Sequence, residues 1–237
     1  MTAAMSNTEI VSYSQTDGIA TIAMDDGKAN ALSTEMVKQL EQAFDRAAAE
    51  AKGVVVIGRE GKFCAGFDLR EMMAGPDSAL ALVKRGGELL MRIYDFPMPV
   101  VIACSGHAMA GGALLVATGD TRLGAQGAFK IGLNEVQVSM PVPILAHELA
   151  RDRLLPTELF ASVVQAKIYD PDGAARAGWL DRVVAPEKLL DEARAVAREL
   201  MKLPARAYAM SKHSLRRGTI KHIRDTLESN VAELMPK

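Results

Sequence analysis

The order of apolar and polar positions along the chain predicts alternating strands and helices. Residues 10–15 and 19–24 alternate apolar and polar on either side of a short turn, a pattern typical of a β-hairpin. Residues 54–57 and 100–104 are short apolar runs rich in β-branched side chains, as strands buried on both faces are. Because predicted helices separate these strands, the pattern indicates an α/β fold.

Helical periodicity fills most of the chain between these strands. Ser33 is placed to cap a helix whose apolar residues recur every three or four positions. Asp68 is likewise expected to cap the next helix. Residues 189–201 form a strongly amphipathic helix, and the segment from 205 to 234 is predicted to be helical with a break at Gly218. Further helices are predicted at 69–73, 78–94, 113–117, 144–150 and 156–165, and further short strands at 121–123, 128–131 and 181–184.

Two glycine-rich segments, 58–66 and 105–112, are predicted to be loops that each connect a buried strand to a helix. Small residues let the backbone turn tightly or let a ligand approach it closely. A helix that begins at Gly111 presents unpaired N–H groups and a partial positive charge to whatever lies above the loop. Both loops therefore offer backbone N–H donors to a negative charge, permanent or transient.

Composition and charge restrict the class of protein. A chain of 237 residues is long enough for one sizeable α/β domain with a helical appendage, which we divide into a core at 1–185 and a C-terminal helical region at 186–237. With 28 basic and 29 acidic residues, the chain shows no charge excess that would favour a nucleic-acid partner.

Several features predict a soluble, cytoplasmic protein with no metal and no membrane partner. Cys64 and Cys104 lie in separate apolar runs without the spacing of a metal site or a disulfide framework. Residues 1–5 lack the basic and apolar regions of a signal peptide. No apolar run reaches the length of a membrane span.

Two nucleotide-binding interpretations of the second loop fail. The spacing of its glycines is not G-x-G-x-x-G, and no strand ending in an acidic residue follows about twenty residues later. The loop also lacks the Gly-Lys-Ser/Thr sequence of a phosphate-binding P-loop.

Four segments resemble those of one family. FCAGFDLREM at 63–72 resembles the (S/C)-A-G-x-D-(I/L)-x-E-M motif of the enoyl-CoA hydratase/isomerase (crotonase) superfamily, and SGHAMAGG at 105–112 is similar to its N-G-x-A-x-G-G-G loop. KANAL at 28–32 and AGWLD at 177–181 resemble two further segments of that superfamily. The order and spacing agree from about residue 10 to residue 215.

The resemblance implies a spiral of stacked ββα units with C-terminal helices that take part in forming a homotrimer or hexamer. It implies an acyl-CoA thioester as substrate and no separate cofactor, because coenzyme A is part of the substrate. The backbone N–H groups of Phe67 and Gly111 would form the oxyanion hole, with Ala110 replacing the first glycine of the family's triplet. The expected contacts with coenzyme A and the acyl group are Lys28, Ala29, Ala31, Ala65, Gly66, Asp68, Leu69, Gly112 and Leu114.

The number of carboxylates decides which reaction the resemblance favours. Hydratases of the family carry two glutamates, whereas this chain has Leu114 at the first position and Glu135 at the second, in a G-L-N-E segment similar to that of single-glutamate isomerases. Hydration needs a water that is held and activated, work that two carboxylates share. Moving a double bond needs one base, and a desolvated Glu135 with a raised pKa suffices. The sequence thus favours an enoyl-CoA isomerase. A hydratase, another crotonase reaction and a non-catalytic acyl-CoA-binding protein remain as alternatives.

Overall fold

Two β-sheets and the helices around them make up residues 9–234, the part of the chain that this computed structural model describes. Residues 1–5, for which no signal peptide is predicted, lie outside this range. The strands are β1 (Val11–Thr16), β2 (Ile19–Met24), β3 (Gly53–Gly58), β4 (Gly61–Cys64), β5 (Val100–Cys104), β6 (Gly106–Met109), β7 (Thr121–Ala125), β8 (Ile131–Gly132) and β9 (Arg182–Val184).

The helices follow the predicted periodicity closely. Ser33 caps α1 by accepting a hydrogen bond from the Met36 N–H at 3.1 Å, and Asp68 caps α2. No helix within residues 9–234 has both the length and the apolar character needed to cross a membrane. The helices are α1 (Thr34–Glu50), α2 (Leu69–Met72), α3 (Pro76–Tyr94), α4 (Gly111–Thr118), α5 (Ile144–Arg153), α6 (Pro156–Val163), α7 (Pro171–Ala177), α8 (Leu189–Leu200) and α9 (Ala205–Leu234).

The strands are shared between a large sheet and a small one. The large sheet has the order β1-β2-β3-β5-β7-β9, with β1 antiparallel to β2 and all later neighbours parallel. The small sheet has the order β4-β6-β8 and is parallel throughout. Each of the pairs β3–β4, β5–β6 and β7–β8 gives one strand to each sheet before the chain enters a helix. This arrangement confirms the predicted spiral of ββα units.

The small sheet corrects the prediction that both glycine-rich segments are loops. β4 lies within the first segment and β6 within the second, whereas the strand predicted at 128–131 is reduced to the two residues of β8. A Cβ atom on Gly106 would lie 2.0 Å from the carbonyl carbon of Gly61. These glycines therefore permit two strands to approach closely.

The C-terminal helices agree with the predicted amphipathic helix and differ from prediction at Gly218. The apolar stripe of α8 is not exposed: Leu189, Ala193 and Ala197 are buried in one cluster with residues of the large sheet. The predicted break at Gly218 is wrong, because α9 continues through it without interruption. A single glycine lowers the stability of a helix by about 1 kcal/mol but need not end it when packing on both sides holds the helix in place.

α9 lies along α3 and α5, with Ile220, Ile223, Leu227 and Val231 buried on the packed face. Its N-terminal half is attached to the core through the buried Asp120. That carboxylate accepts from Lys212 at 2.7 Å, Arg216 at 2.8 Å and the Tyr208 hydroxyl at 2.8 Å, and also from the N–H of Val100 at 2.8 Å. The domain boundary after residue 185 stays a prediction.

Candidate active site

The three residues predicted to do the chemistry follow the carboxyl ends of the three parallel strands of the small sheet. Phe67 comes three residues after β4, Gly111 two residues after β6, and Glu135 three residues after β8. Because these strands are neighbours in the order β4-β6-β8, their ends place the three residues along one edge. Ligands of open α/β sheets bind at that edge.

Backbone hydrogen bonds join the two segments predicted to contact coenzyme A. The Ala65 N–H donates to the Ala29 carbonyl at 3.0 Å, and the Leu32 N–H donates to the Gly66 carbonyl at 2.8 Å. Asn30 is fully buried between the segments, and its amide group donates to the carbonyls of Met24, Lys62 and Phe63. The predicted contacts from residue 28 to 31 and from residue 65 to 68 are thus brought together.

Other predicted contacts differ widely in exposure. Lys28 and Ala65 are exposed, and Ala31 and Asp68 are partly exposed. Leu69 is 67% exposed, on the outer side of α2, while Gly112 is buried where a Cβ atom would lie 2.0 Å from the Cys64 carbonyl oxygen. Only glycine fits at residue 112, so its role is to let α4 begin against the end of β4.

The two predicted oxyanion donors lie on loops that nearly touch. A Cβ atom on Gly66 would be 3.1 Å from the nitrogen of Gly111. The Leu32 N–H donates to the Gly66 carbonyl, and the Leu32 carbonyl accepts from the Asp68 N–H. The Phe67 N–H, which lies between these two bonds, has no hydrogen-bond partner among the described residues. Gly111 is the first residue of α4, so its N–H has no partner within the helix. Both N–H groups are available to an anionic oxygen.

Ala110, which replaces a family glycine, has a strained backbone immediately before Gly111. Its φ of 50° and ψ of −124° lie in a region that side chains other than glycine rarely adopt. Such strain costs about 1–3 kcal/mol and persists where the surroundings fix it. The Ala110 N–H does not face the site, since it donates to the Gly132 carbonyl at 3.0 Å. That bond ties the loop before α4 to the segment that leads to Glu135.

Several hydrogen bonds fix the chain around Glu135. A short 3-10 turn at Val136–Val138 follows it, and the Met140 N–H donates back to the Glu135 carbonyl at 2.9 Å. The side-chain amide of Gln137 donates to the Ala166 carbonyl at 2.8 Å and so attaches this turn to the loop after α6. The position of the carboxyl group is therefore set by ordered backbone on both sides.

The Glu135 side chain is partly buried, its Oε2 is fully buried, and the carboxyl group is incompletely hydrogen-bonded. Its Oε2 has no hydrogen-bond partner among the described residues. Burial raises the pKa of Glu135, and the backbone N–H groups of Glu135 and Asn134 oppose that shift without cancelling it. A desolvated carboxylate with an unoccupied oxygen has the character of a general base.

The remaining candidates have structural partners or an unsuitable environment. Leu114 is 2% exposed within α4, so no second carboxylate stands there. His107 lies on β6, where its Nδ1 accepts the Lys130 N–H at 3.0 Å and its ring packs edge-on against Phe129. His147 lies on α5 with its buried Nδ1 3.2 Å from Glu148 Oε1 but without a well-oriented hydrogen bond, and burial lowers its pKa.

Sequence reasoning did not identify the side chains that hold the site in place. Asn30 lies within the KANAL segment, but the sequence did not indicate its hydrogen bonds, and no sequence pattern pointed to Gln137. Both are polar residues that satisfy backbone carbonyls of another segment, a role that depends on a tertiary contact. Among residues 9–234, no three His, Cys, Asp or Glu side chains are grouped as a metal site requires.

These features define a class of α/β protein. Its members have unpaired backbone N–H donors and a carboxyl group with a buried oxygen at one edge of a parallel sheet. The chain belongs to the enoyl-CoA hydratase/isomerase family, whose sequence model matches residues 14–234. Among curated proteins it is similar to human mitochondrial enoyl-CoA delta isomerase 1, with 27% identity over 207 residues, which is 85% of this chain and 68% of that protein.

Solved structures give the same family. An enoyl-CoA hydratase/isomerase family protein from Pseudomonas syringae is 38% identical, with a TM-score of 0.94 over 97% of this chain and 100% of that chain. Two structures of one Mycobacterium tuberculosis protein are each 36% identical, with TM-scores of 0.90 and 0.91, over 94% and 95% of this chain and 98% and 96% of theirs. One is described as an enoyl-CoA isomerase and the other as a probable enoyl-CoA hydratase. Similarity alone therefore gives the family and leaves the reaction open.

Proposed function

We propose that this protein is an enoyl-CoA isomerase that converts a 3-enoyl-CoA to a 2-trans-enoyl-CoA. The observation that carries the proposal is the buried Oε2 of Glu135, which has no hydrogen-bond partner among the described residues, combined with Leu114 in the position where hydratases have a second glutamate. The membership of the enoyl-CoA hydratase/isomerase family supports an acyl-CoA thioester as the substrate.

The reaction moves one proton and creates no net charge. Glu135 takes a proton from C2 of the substrate, and the electron pair of that C–H bond becomes delocalised onto the thioester oxygen. The N–H groups of Phe67 and Gly111 stabilise this enolate oxygen, a contribution that is typically the largest single one in such sites. Glu135 then returns the proton to C4, which leaves the double bond between C2 and C3, conjugated with the carbonyl.

Leu114 disfavours the hydratase reaction on physical grounds. Addition of water to a 2-enoyl thioester requires a water molecule held beside C3 and deprotonated as it attacks. The Leu114 side chain offers no hydrogen bond to such a water, and because it is apolar it makes that part of the site drier.

The substrate's coenzyme A portion is proposed to lie along residues 28–31 and 65–68, with no further cofactor. The backbone bonds between these segments support a common binding surface, and the exposed Lys28 supplies a cation suited to phosphate groups. Leu69, Gly112 and Leu114 are then assigned to the side nearer the acyl group.

The proposal is tested by the conjugation of 3-enoyl-CoA, which ultraviolet absorption detects directly. We expect Glu135→Gln to lower the isomerase kcat by about 10²–10⁴, as the loss of a general base does, while the affinity for coenzyme A stays nearly unchanged. Turnover retained within a few-fold would place the base elsewhere, and His147 would be examined next. A wild-type protein that binds acyl-CoA but conjugates nothing would refute the isomerase, and hydration of crotonyl-CoA would then distinguish a hydratase from a non-catalytic member of the family.

A further inference from the structure

α3 contains two adjacent glycines in its interior, Gly86 and Gly87, and both are buried. Each lowers the intrinsic stability of the helix by about 1 kcal/mol relative to alanine, so a packing reason for them is expected. Their surroundings show that the two glycines make room for different neighbours.

Gly86 makes room for the aromatic ring of Phe67. A Cβ atom on Gly86 would lie 2.3 Å from Cε1 and 3.0 Å from Cζ of that ring. These ring atoms are rigid, so a methyl group at residue 86 and the present position of the ring exclude each other.

The opposite edge of the same ring faces the second oxyanion loop. A Cβ atom on Gly111 would lie 3.2 Å from Cδ2 and 3.3 Å from Cε2 of Phe67. The ring is thus wedged between the middle of α3 and the first residue of α4. If the ring moves away from Gly86, it presses against Gly111. The positions of both oxyanion donors therefore depend on the space beside Gly86.

Gly87 makes room for side chains that have no part in the site. A Cβ atom there would meet the two terminal methyl carbons of Leu227 on α9 at 2.9 and 3.1 Å, and a methyl of Leu145 on α5 at 3.5 Å. These are the ends of flexible side chains that can shift. Gly87 therefore provides a matched control within the same helix.

We propose that Gly86 is a positioning residue for the oxyanion hole: the notch that it leaves in α3 seats the Phe67 ring and so sets the Phe67 and Gly111 N–H groups at the spacing that the thioester oxygen requires. This inference rests on the oxyanion hole of the proposed function, and its kinetic consequence rests on the isomerase reaction as well. A displacement of about 1 Å at such a site costs about 10²-fold in rate, and loss of one donor costs about 10²–10³-fold.

The test uses the carbonyl stretching frequency of bound butyryl-CoA that carries ¹³C at the thioester carbon. This saturated thioester has no double bond to move, so its polarisation reports the two N–H donors without any turnover. We expect the wild type to lower the carbonyl frequency on binding and Gly86→Ala to lose most of that shift. In the isomerase assay we expect Gly86→Ala to lower kcat about 10²-fold with KM changed by less than about three-fold.

A double-mutant cycle with Phe67→Ala separates positioning from a general disturbance of α3. Once the ring is absent, Gly86→Ala has nothing to displace, so we expect it to change the carbonyl shift and kcat by less than about two-fold in that background. An equal loss in both backgrounds would overturn the proposal, as would an undiminished carbonyl shift in Gly86→Ala. If Gly86→Ala folds only together with Phe67→Ala, the steric conflict is established. Phe67→Ala alone then decides the rest, because an undiminished shift there contradicts the positioning role.

Two control variants complete the design. Gly87→Ala adds the same methyl group one residue along and is expected to leave the carbonyl shift intact even if it alters thermal stability. Gly218→Ala adds a methyl group in α9, where nothing lies within 4 Å, and reports the gain in helix propensity alone. A wild type that polarises butyryl-CoA but does not isomerise would refute the proposed function and leave the role of Gly86 standing. Normal isomerisation by Gly86→Ala would refute the role of Gly86 and leave the proposed function standing.

Discussion

At the scale of single residues, the Glu135 carboxyl group that suits catalysis is unfavourable for folding. Its pKa in the folded protein is raised by burial, and its Oε2 has no partner among the described residues. At a pH below the unfolded-state pKa the group is protonated in both states and has little effect on stability. Between the unfolded-state pKa and the higher folded-state pKa, the group is ionised mainly in the unfolded chain, so the free energy of unfolding falls as the pH rises; above the folded-state pKa the loss stays constant.

We therefore expect Glu135→Gln to raise the midpoint of thermal unfolding at neutral pH, with the gain disappearing below about pH 4. Calorimetry of both proteins between pH 4 and 8 measures this difference. Glu60→Gln is the matched control, because Glu60 is an exposed carboxylate and its replacement should leave stability nearly unchanged. A gain that is equal at all pH values would contradict ionisation as its cause.

Leu114 carries a second prediction at this scale. The wild type should show little or no hydration of crotonyl-CoA, because Glu135 lacks a second carboxylate with which to hold and activate water. Spectrophotometric loss of the conjugated enoyl thioester measures this. Hydration at about 10 per second or more, a typical enzymatic rate, would remove the main support for the isomerase assignment.

Leu114→Glu should raise hydration, although the gain is limited by its environment. Leu114 is 2% exposed in an apolar helix, and burial of an unpaired carboxylate costs several kcal/mol or keeps the group protonated. Leu114→Gln is the appropriate control, since it adds a polar side chain of the same size that cannot act as a base. Equal hydration by both variants would show that polarity alone, and not a second base, limits the reaction.

Sequence reasoning succeeded where a residue acts on its own neighbours. The caps Ser33 and Asp68 were predicted because each accepts hydrogen bonds from residues two or three positions later. Gly86 gave no such signal. Glycine is needed at residue 86 because of the Phe67 ring, which is nineteen positions away in the sequence. A glycine inside a helical pattern does not by itself indicate what occupies the space beside it.

At the scale of secondary-structure elements, the strands of the large sheet were predicted, whereas two strands of the small sheet, β4 and β6, were missed and β8 was only partly predicted. β3 and β5 are apolar, β-branched runs buried on both faces, which is a strong local signal. β4, β6 and β8 have only two to four residues each and contain glycines, so locally they resemble turns. The edge that carries the candidate site was therefore found through family resemblance and not through periodicity.

The attachment of α9 to the core supplies a prediction about this helix. Asp120 is 8% exposed in its side chain and pairs with both Lys212 and Arg216, and burial lowers the pKa of Lys212 to about 8 despite the ion pair. Asp120→Asn would leave two buried cations without their counter-charge. We expect a loss of about 3–5 kcal/mol in the free energy of unfolding, measured by denaturant titration.

The control for Asp120→Asn is Asp45→Asn, which breaks an ion pair with Arg92 on the surface, where the aspartate is 68% exposed. That change should cost less than about 1 kcal/mol. A similar small cost for Asp120→Asn would show that α9 is held by its apolar face alone. If Asp120→Asn instead speeds the proteolytic release of α9 without lowering the free energy of global unfolding, this helix can detach while the sheets stay folded.

At the scale of the whole molecule, the structure changes the reason for expecting a homotrimer or a hexamer. The expectation from the sequence is one that the family resemblance implies. In the structure α8 buries its apolar stripe on the large sheet, and α9 packs one face on α3 and α5 of the same chain. Both helices thus bury an apolar face within the chain, but α9 still exposes Met210 and Leu215 at 61% and 84%.

Another exposed apolar surface supports the same proposal. We call it the α6 patch: Leu155, Phe160 and Val164 are 53%, 64% and 51% exposed and lie on or beside one short helix. Large apolar side chains grouped on a surface mark interaction sites, and homo-oligomers with closed symmetry are the commonest way to bury them. The patch is small, so it would form only part of a subunit interface.

Analytical ultracentrifugation of the full chain at micromolar concentration tests this proposal. We expect a mass of three or six subunits for the wild type and dissociation in Phe160→Glu, because a charge placed in the middle of a buried apolar contact is strongly disfavoured. Gln42→Glu introduces the same side chain at an exposed position on α1 and should leave the mass unchanged. A stable wild-type monomer would refute the oligomer. An unchanged trimer in Phe160→Glu would place the interface away from the α6 patch and leave those three side chains free for another partner.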